Sequence, residues 1–320
     1  MKPKFSVAIP AYNCSAFLNA TLDAVLSQSF PADEVIVVDD GSTDQTSRVI
    51  EDYGSFIIVI KIENSGPGAA RMRAIAECRN EWIALCDSDD IWSCEYLARK
   101  AHAIQSFPSA NVFASNFRSF GPSSDNRDSR LDTAGRDWIE RYTSPANDNF
   151  RLVNDAYRAL LDFNPLYPTG LVLSSVIYNL VGGINPFYSR WVAEDSEFTR
   201  RLVAHEEARL VIDKEVTWKY RRHEDNYSKE QWKNIYGRAR ILQEHLKNKV
   251  VPPDFIHDTQ RTAEDALGKA FDIAYWAKQY SDSLAVYSEL PPSQLNYKRR
   301  IRHVFAVCQH SCRVHLRGEL

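Results

Sequence analysis

The sequence predicts an α/β protein with a mostly parallel central sheet, helices on both faces and an α-helical C-terminal appendage. Three observations predict it. Apolar, β-rich runs alternate with stretches of helical spacing through the first third of the chain. Those runs are continuously apolar rather than alternating, as strands covered on both faces are. From about Lys229 onward the spacing becomes almost wholly helical.

The elements follow in order. Residues 5–11, FSVAIPA, read as the first strand, with Asn13-Cys14-Ser15 as turn and helix cap. Phe17, Leu18, Leu22, Val25 and Leu26 then keep helical spacing. A second strand at 34–38 ends in Asp39-Asp40, where Gly41 permits a sharp turn. Ser42, Thr43 or Asp44 can cap a helix whose apolar face is Val49, Ile50 and Tyr53. Phe56–Ile62 is a third strand, and Pro67 or Gly68 opens a helix through Cys78. Trp82–Cys86 is a fourth strand, followed by a helix from about Ile91 to Phe107 with Asp90 as a candidate N-cap. Ala110–Asn116 is a fifth strand. Polar Gly121–Asn149 reads as a loop with at most a short helix around Trp138. Phe150–Asp162 has helical spacing. Leu171–Ser175 reads as a strand, Val176–Val181 as a short helix, Gly182-Gly183 as a turn and Glu194–His205 as a helix. Arg209–Ile212 and Val216–Tyr220 read as two short strands. Ala263–Pro292 resembles one tetratricopeptide-like hairpin with no second copy, hence a brace rather than an array.

Composition narrows the class. The chain has 320 residues and a net charge of −3, with pI near 6.3, which gives no footprint for nucleic acid. No apolar run approaches the roughly 18 residues of a membrane span. Met1-Lys2-Pro3-Lys4 lacks the apolar core of a signal peptide. The six cysteines are scattered without a CxxC, so structural zinc and a disulfide framework are not expected. These features predict a soluble, reduced, cytoplasmic protein. Tyr297 to Arg317 carries Lys298, Arg299, Arg300, Arg302, Arg313 and Arg317 and no acid. Such a run is either a solvated helix face or a peripheral contact with anionic lipid headgroups.

One stretch resists a purely structural account. The buried-type strand WIALC runs straight into Asp87-Ser88-Asp89-Asp90. Three carboxylates in four residues repel one another and resist desolvation. Either they form a polar turn that caps the next helix, or a divalent cation such as Mg²⁺ or Mn²⁺ resolves the conflict. Other polar residues gather at strand ends too: Tyr12-Asn13 after the first and Asp39-Asp40 after the second. In open parallel sheets ligands bind beyond those carboxyl ends. There is no GxxxxGK[ST] loop, no GxGxxG after the first strand and no GxSxG elbow.

The motifs SVAIPAYN, VIVVDDGSTD, NSGPGAAR, WIALCDSDD, AEDSEFTRRL and YRRHEDNYS occur in that order over residues 4–228. In this they resemble the family 2 inverting glycosyltransferases with the GT-A nucleotide-diphospho-sugar transferase fold. The resemblance implies a donor half at 1–118, a loop or insertion at 119–149, an acceptor half at 150–228 and a helical region at 229–320. It implies that Pro10, Tyr12 and Asp40 contact the nucleobase, Tyr12 by stacking and Asp40 by accepting an imide hydrogen bond. Arg71 would hold the diphosphate, Asp87 would face the ribose or metal, and Asp89 or Asp90 would bind Mn²⁺ or Mg²⁺. His223 stands where some members place a third metal ligand or a phosphate contact. Asp195, in the pair Glu194-Asp195, matches the catalytic base, although a helix N-cap would account for one acid there. The implied reaction moves a sugar from a nucleotide donor, UDP-linked by expectation, to a glycan or lipid-linked saccharide acceptor in surface-glycan biosynthesis. The segment GGINPFYSRWVAEDSEF and the 121–149 stretch depart from the family pattern. Three rivals remain: a non-catalytic nucleotide-sugar binder, a nucleotidyltransferase and a helical protein-interaction module.

Overall fold

A computed structural model describes residues 2–122, 124, 128–145, 149–224 and 230–318, with 311–318 as backbone alone. The tail of the YRRHEDNYS motif and the expected boundary at 228/229 fall outside the described residues. By contacts the chain forms two units: Met1–Arg190 with Phe198–Glu224, and Trp191–Glu197 with Asp225–Leu320.

The first unit is built on a sheet. β1 (Phe5–Ala11), β2 (Glu34–Asp39), β3 (Ile58–Lys61) and β4 (Trp82–Leu85) are joined by α1 (Leu18–Leu26), α2 (Thr46–Asp52) and α3 (Pro67–Ala76). β1 pairs in parallel with β2 and β4, and β2 with β3. Successive strand side chains point to opposite faces. Phe5, Val7, Ile9 and Ala11 join Leu18, Leu22 and Val25 of α1 in one core cluster, while Ala8, Ile36 and Val38 are equally buried outside it. α3 packs on β1 and β2. β1 therefore has no exposed face, which is why it is apolar at every position but Ser6, whose hydroxyl donates to Glu34 Oε1. Leu22 has no exposed surface; truncating such a side chain costs about 2–5 kcal/mol.

Beyond β4 the sheet becomes mixed. β5 (Ile91–Trp92), α4 (Tyr96–Ser106), β6 (Val112–Phe120), α5 (Arg136–Tyr142), β7 (Thr143–Pro145), β8 (Phe150–Val153) and α6 (Ala156–Asp162) follow. Then come β9 (Val172–Ser174), α7 (Ser175–Leu180), α8 (Glu194–Ala204) and β10 (Leu210–Arg221). Among the described residues one ten-stranded sheet runs β3-β2-β1-β4-β9-β6-β10-β8-β7, with β5 on β10. β9 is antiparallel to β4 and β6, whereas β6 and β10 are parallel.

Several elements differ from their sequence expectation. Asp90 caps no helix. Ile91-Trp92 pairs antiparallel with Lys219-Trp218, and the Trp92 indole donates to the Thr169 carbonyl at 2.9 Å, so α4 starts only at Tyr96. Phe150–Val153 is a strand paired with β10, and the helical part begins after left-handed Asp155, whose side chain accepts from Arg158 N. The two short strands at 209–220 are one, β10, interrupted by bulges at Asp213–Val216–Trp218. The bulge turns buried Asp213 onto Arg99, which grips it through two 2.6 Å bonds. Asn13-Cys14-Ser15 is a turn without a cap on α1.

The second unit is helical: α9 (Gln231–Lys247), α10 (Ile256–Trp276), α11 (Tyr280–Tyr287) and α12 (Tyr297–Gly318). Trp232 and Ala239 of α9 pack with Leu267, Phe271 and Ala274 of α10 and Val286 of α11. Gly268 lets α10 approach the Arg299 side chain, and Asp272 pairs with Arg299 and Arg302.

Candidate active site

The site is assembled from the strand ends of the first unit. Asn13, after β1, takes the left-handed conformation at φ 45°, which Asn tolerates. Its Oδ1 accepts from Thr43 N at 2.8 Å, and its own N–H donates to Ser42 Oγ at 3.0 Å. The loops after β1 and β2 are thereby zipped together, with Tyr12 half exposed between them.

Asp40 is buried, and its N–H donates to Ala11 O. Its two carboxylate oxygens accept from Ser65 N at 2.7 Å and Gly66 N at 2.9 Å. Burial raises its pKa against the pull of these amides. The clasp fixes the Asn64–Gly68 turn. Gly66 sits at φ 92°, where an added Cβ would lie 2.9 Å from Ser189 O. Ser189 Oγ seals the turn, accepting from Ala69 N and donating to Ser65 O. Pro67 then opens α3 with its φ already suitable for a helix. One turn on, Arg71 points back to the strand ends, its guanidinium nearly buried and 2.7 Å from Asp87 Oδ1.

The carboxylates of the turn after β4 have different surroundings. Asp90 is 1% exposed; it accepts from Thr169 Oγ1 at 2.5 Å and from Arg221 N at 2.9 Å. Thr169 Oγ1 also accepts from Asp87 N. Thr21 on α1 donates within reach of both Ser88 O and Asp90 O. Asp89 instead meets His223, Oδ2 to Nε2 at 3.1 Å. Arg221 Nε donates to Asp89 O, and its guanidinium lies over Phe17 and Phe120. The His223 ring also packs on Phe17, 4.4 Å between centres. Burial, then the Asp87 charge, raise the Asp89 pKa while His223 lowers it; burial, then Asp89 and Asp87, push Asp90 well up. Three acids thus crowd one turn with unequal compensation.

Among the described residues no group of three His, Cys, Asp or Glu side chains is arranged to hold a metal. Asp89 and His223 are a two-donor set, a carboxylate beside an imidazole. Such a pair suits a Mn²⁺ or Mg²⁺ that draws its other ligands from phosphate and water. Asp90 has both oxygens already engaged by protein donors.

The strand ends bring Pro10, Tyr12, Asp40, Arg71, Asp87, Asp89, Asp90 and His223 into one unit. Asp195 belongs to the other, in the first turn of α8 after left-handed Ala193, its Oδ1 accepting from Ser196 N at 2.8 Å. Sequence reasoning missed Thr21, Thr169, Ser189 and Arg221. Arg221 lies two residues from His223 in a quoted motif, but Thr21, Thr169 and Ser189 carry no local signal.

The fold and the Asp-rich turn define the class: a GT-A nucleotide-sugar transferase fold. Residues 6–159 match Glycosyl transferase family 2. Over that stretch, just under half of the chain, the sequence is similar to that family. It is 36% identical over 100 residues to the poly(ribitol-phosphate) β-N-acetylglucosaminyltransferase TarS of Staphylococcus aureus, covering 29% of this chain and 18% of that protein. To the minor teichoic acid biosynthesis protein GgaA of Bacillus subtilis it is 39% identical over 98 residues, 28% of this chain and 22% of that one. The matches therefore span about a fifth of these relatives. The crystal structure of S. aureus TarS 1-349 with UDP-GlcNAc superposes at TM-score 0.57 and 18% identity, over 98% of this chain and 92% of that one. The mannosyltransferase PcManGT of Pyrobaculum calidifontis, solved with GDP-Man and Mn²⁺, gives 0.58 and 16%, over 98% and 87%. At such identity these structures establish the fold.

Proposed function

We propose that the protein is a metal-dependent, inverting glycosyltransferase that moves a sugar from a UDP-sugar to the hydroxyl of a glycan or lipid-linked saccharide in surface-glycan assembly. The observation that carries this reading is the Asp89–His223 pair at 3.1 Å, next to the Arg71–Asp87 ion pair. A cation held by Asp89 and His223 would neutralise charge on the departing diphosphate. Arg71, already aimed at the strand ends, would turn from Asp87 to a phosphate oxygen, for which a guanidinium is suited. Half-exposed Tyr12 would stack on the base, over the β1 terminus at Pro10. Each oxygen of Asp40 retains a lone pair beyond its amide, enough to accept from an imide N–H. Asp195 would take the acceptor proton as the acceptor oxygen bonds to the anomeric carbon, while the anomeric carbon–oxygen bond breaks toward the diphosphate. UDP is chosen because TarS, named as a β-N-acetylglucosaminyltransferase, is solved in complex with UDP-GlcNAc.

We place the enzyme at the inner face of a membrane, held by α12. Its outward positions Tyr297, Ile301 and Val304 are each more than 60% exposed, Lys298 and Arg300 flank them, and the helix contains no acid. Among the described residues no helix is long and apolar enough to cross a membrane.

Calorimetric titration with UDP, GDP and dTDP, each with Mn²⁺ and with EDTA, tests the donor site. UDP binding that needs Mn²⁺ and disappears in Asp89→Ala is the expected result. Equal binding in EDTA would remove the metal from the reading, and binding of no diphosphate would remove the transferase.

A further inference from the structure

By contacts, the segment carrying Asp195 groups with the helical unit that follows it in sequence. Trp191–Glu197 packs within the helical unit, against one face of α9. Gly237 on that face has its Cα so close to the segment that an added Cβ would stand 2.1 Å from the Val192 carbonyl oxygen. That atom is backbone and cannot swing aside. One turn further, the Arg240 guanidinium lies 5.8 Å from the Trp191 ring centre and is itself braced by Glu289 at 3.2 Å. Two turns further, His245 Nε2 lies 3.5 Å from Glu197 Oε1, both side chains under 5% exposed. Gly237, Arg240 and His245 recur at helical spacing, so they form a single stripe. Trp232 and Ala239 use a different face of α9, toward α10.

We infer that α9 is a positioning element: Gly237 seats the Val192 backbone, Arg240 and His245 hold the Trp191 and Glu197 side chains, and together they aim the Asp195 carboxylate at its proton. This rests on the reading of Asp195 as the base. The helical unit is then a working part of the transferase, and its contribution falls on the chemical step rather than on donor binding, whose residues all lie elsewhere. A general base misplaced by about 1 Å can lose on the order of 100-fold in rate.

The test compares Gly237→Ala, His245→Asn, Asp195→Asn and Gly268→Ala in the full chain. Gly268 lies in the same helical unit, but its added Cβ would meet only the movable ends of Arg299 and Gln294, so it controls for general loosening. Three readouts are taken: release of UDP from UDP-glucose, UDP-galactose and UDP-N-acetylglucosamine with water as acceptor, UDP affinity with Mn²⁺, and hydrogen exchange of peptides spanning 191–197. Gly237→Ala and His245→Asn should each lose kcat by roughly tenfold to 100-fold and expose 191–197 to exchange, with UDP affinity within about twofold. Gly268→Ala should change none of these. If Gly237→Ala fails to fold, His245→Asn carries the comparison. Unchanged kcat, a parallel loss of UDP affinity, or an equal loss in Gly268→Ala overturns the positioning role. Turnover that survives Asp195→Asn, or wild-type protein that hydrolyses none of the three donors, overturns the function reading instead.

Discussion

Thr169 shows how much of the site rests on one hydroxyl. It donates to Asp90 and accepts from the Asp87 amide, so it tethers two of the three crowded acids. Thr169→Val keeps the shape and leaves a buried carboxylate short of a donor. Unfolding by urea should show a loss of about 1–3 kcal/mol, with weaker Mn²⁺-dependent UDP binding. Nothing adjacent to Thr169 announces this role, because its partners are some eighty positions away. The acids themselves were legible: charge following a buried strand is a conflict that local residues expose. Lys100 makes the complementary point. It is buried, donates to the carbonyls of Phe113 and Gly170, and desolvation pushes its pKa down to about 7. In the unfolded chain it titrates near 10.4. Between about pH 7 and about pH 10.4 the unfolded state therefore holds a proton that the folded state lacks, so stability rises with pH across that window. Below about pH 7 both states are charged and the penalty is complete. Lys100→Met should flatten this slope, read as the difference in unfolding free energy between variant and wild type at pH 6.5, 8 and 9.5.

At the scale of elements, the turns at the strand ends depend on backbone geometry. Gly66→Ala forces a side chain into φ 92° and against Ser189 O, a strain of about 1–3 kcal/mol. It should loosen the Asp40 clasp and weaken UDP binding by roughly tenfold, measured by the same calorimetry. α12 offers a test of its outward stripe. Ile301→Ser with Val304→Ser should reduce pelleting with vesicles containing anionic phosphatidylglycerol, and wild type should bind neutral vesicles weakly. Equal binding to both lipids would sink the membrane contact. The sequence read β1, β2, β4 and the helical character of the C-terminal region, though not its division into four helices, because these have long periodic or continuously apolar patterns. It misread Ile91-Trp92 and Phe150–Val153, both short segments whose strand character comes from pairing with β10 rather than from their own residues. The bulge that joins 209–212 to 216–220 was invisible for a related reason: Asp213, Lys214 and Glu215 look like a turn until Arg99 is there to receive Asp213.

For the molecule as a whole, linear order and packing order diverge. The family match stops at residue 159, and the all-parallel half of the sheet, β3-β2-β1-β4, lies wholly before it. That half was readable because its strands are separated by the helices that cover them. The later half adds antiparallel pairs between distant segments, and its partners cannot be inferred from neighbours along the chain. Removing divalent cations with EDTA should abolish UDP binding while leaving the urea midpoint of the metal-free protein's helical unit in place, since Asp40, Asp87, Asp89 and Asp90 all lie in the first unit. Loss of helical signal in EDTA would contradict that division.

The stripe of α9 also bears on how the protein is made. Chains emerge from the ribosome N-terminus first and fold largely in that order. Residues 191–197 appear before the helix that receives them, which spans Gln231–Lys247. Until that helix has emerged, the contacts of this segment with Gly237, Arg240 and His245 cannot form. A nascent chain can therefore complete the strand-end site well before the 191–197 segment is seated, and on the proposed reading synthesis itself delays the positioning of the base until α9 has emerged.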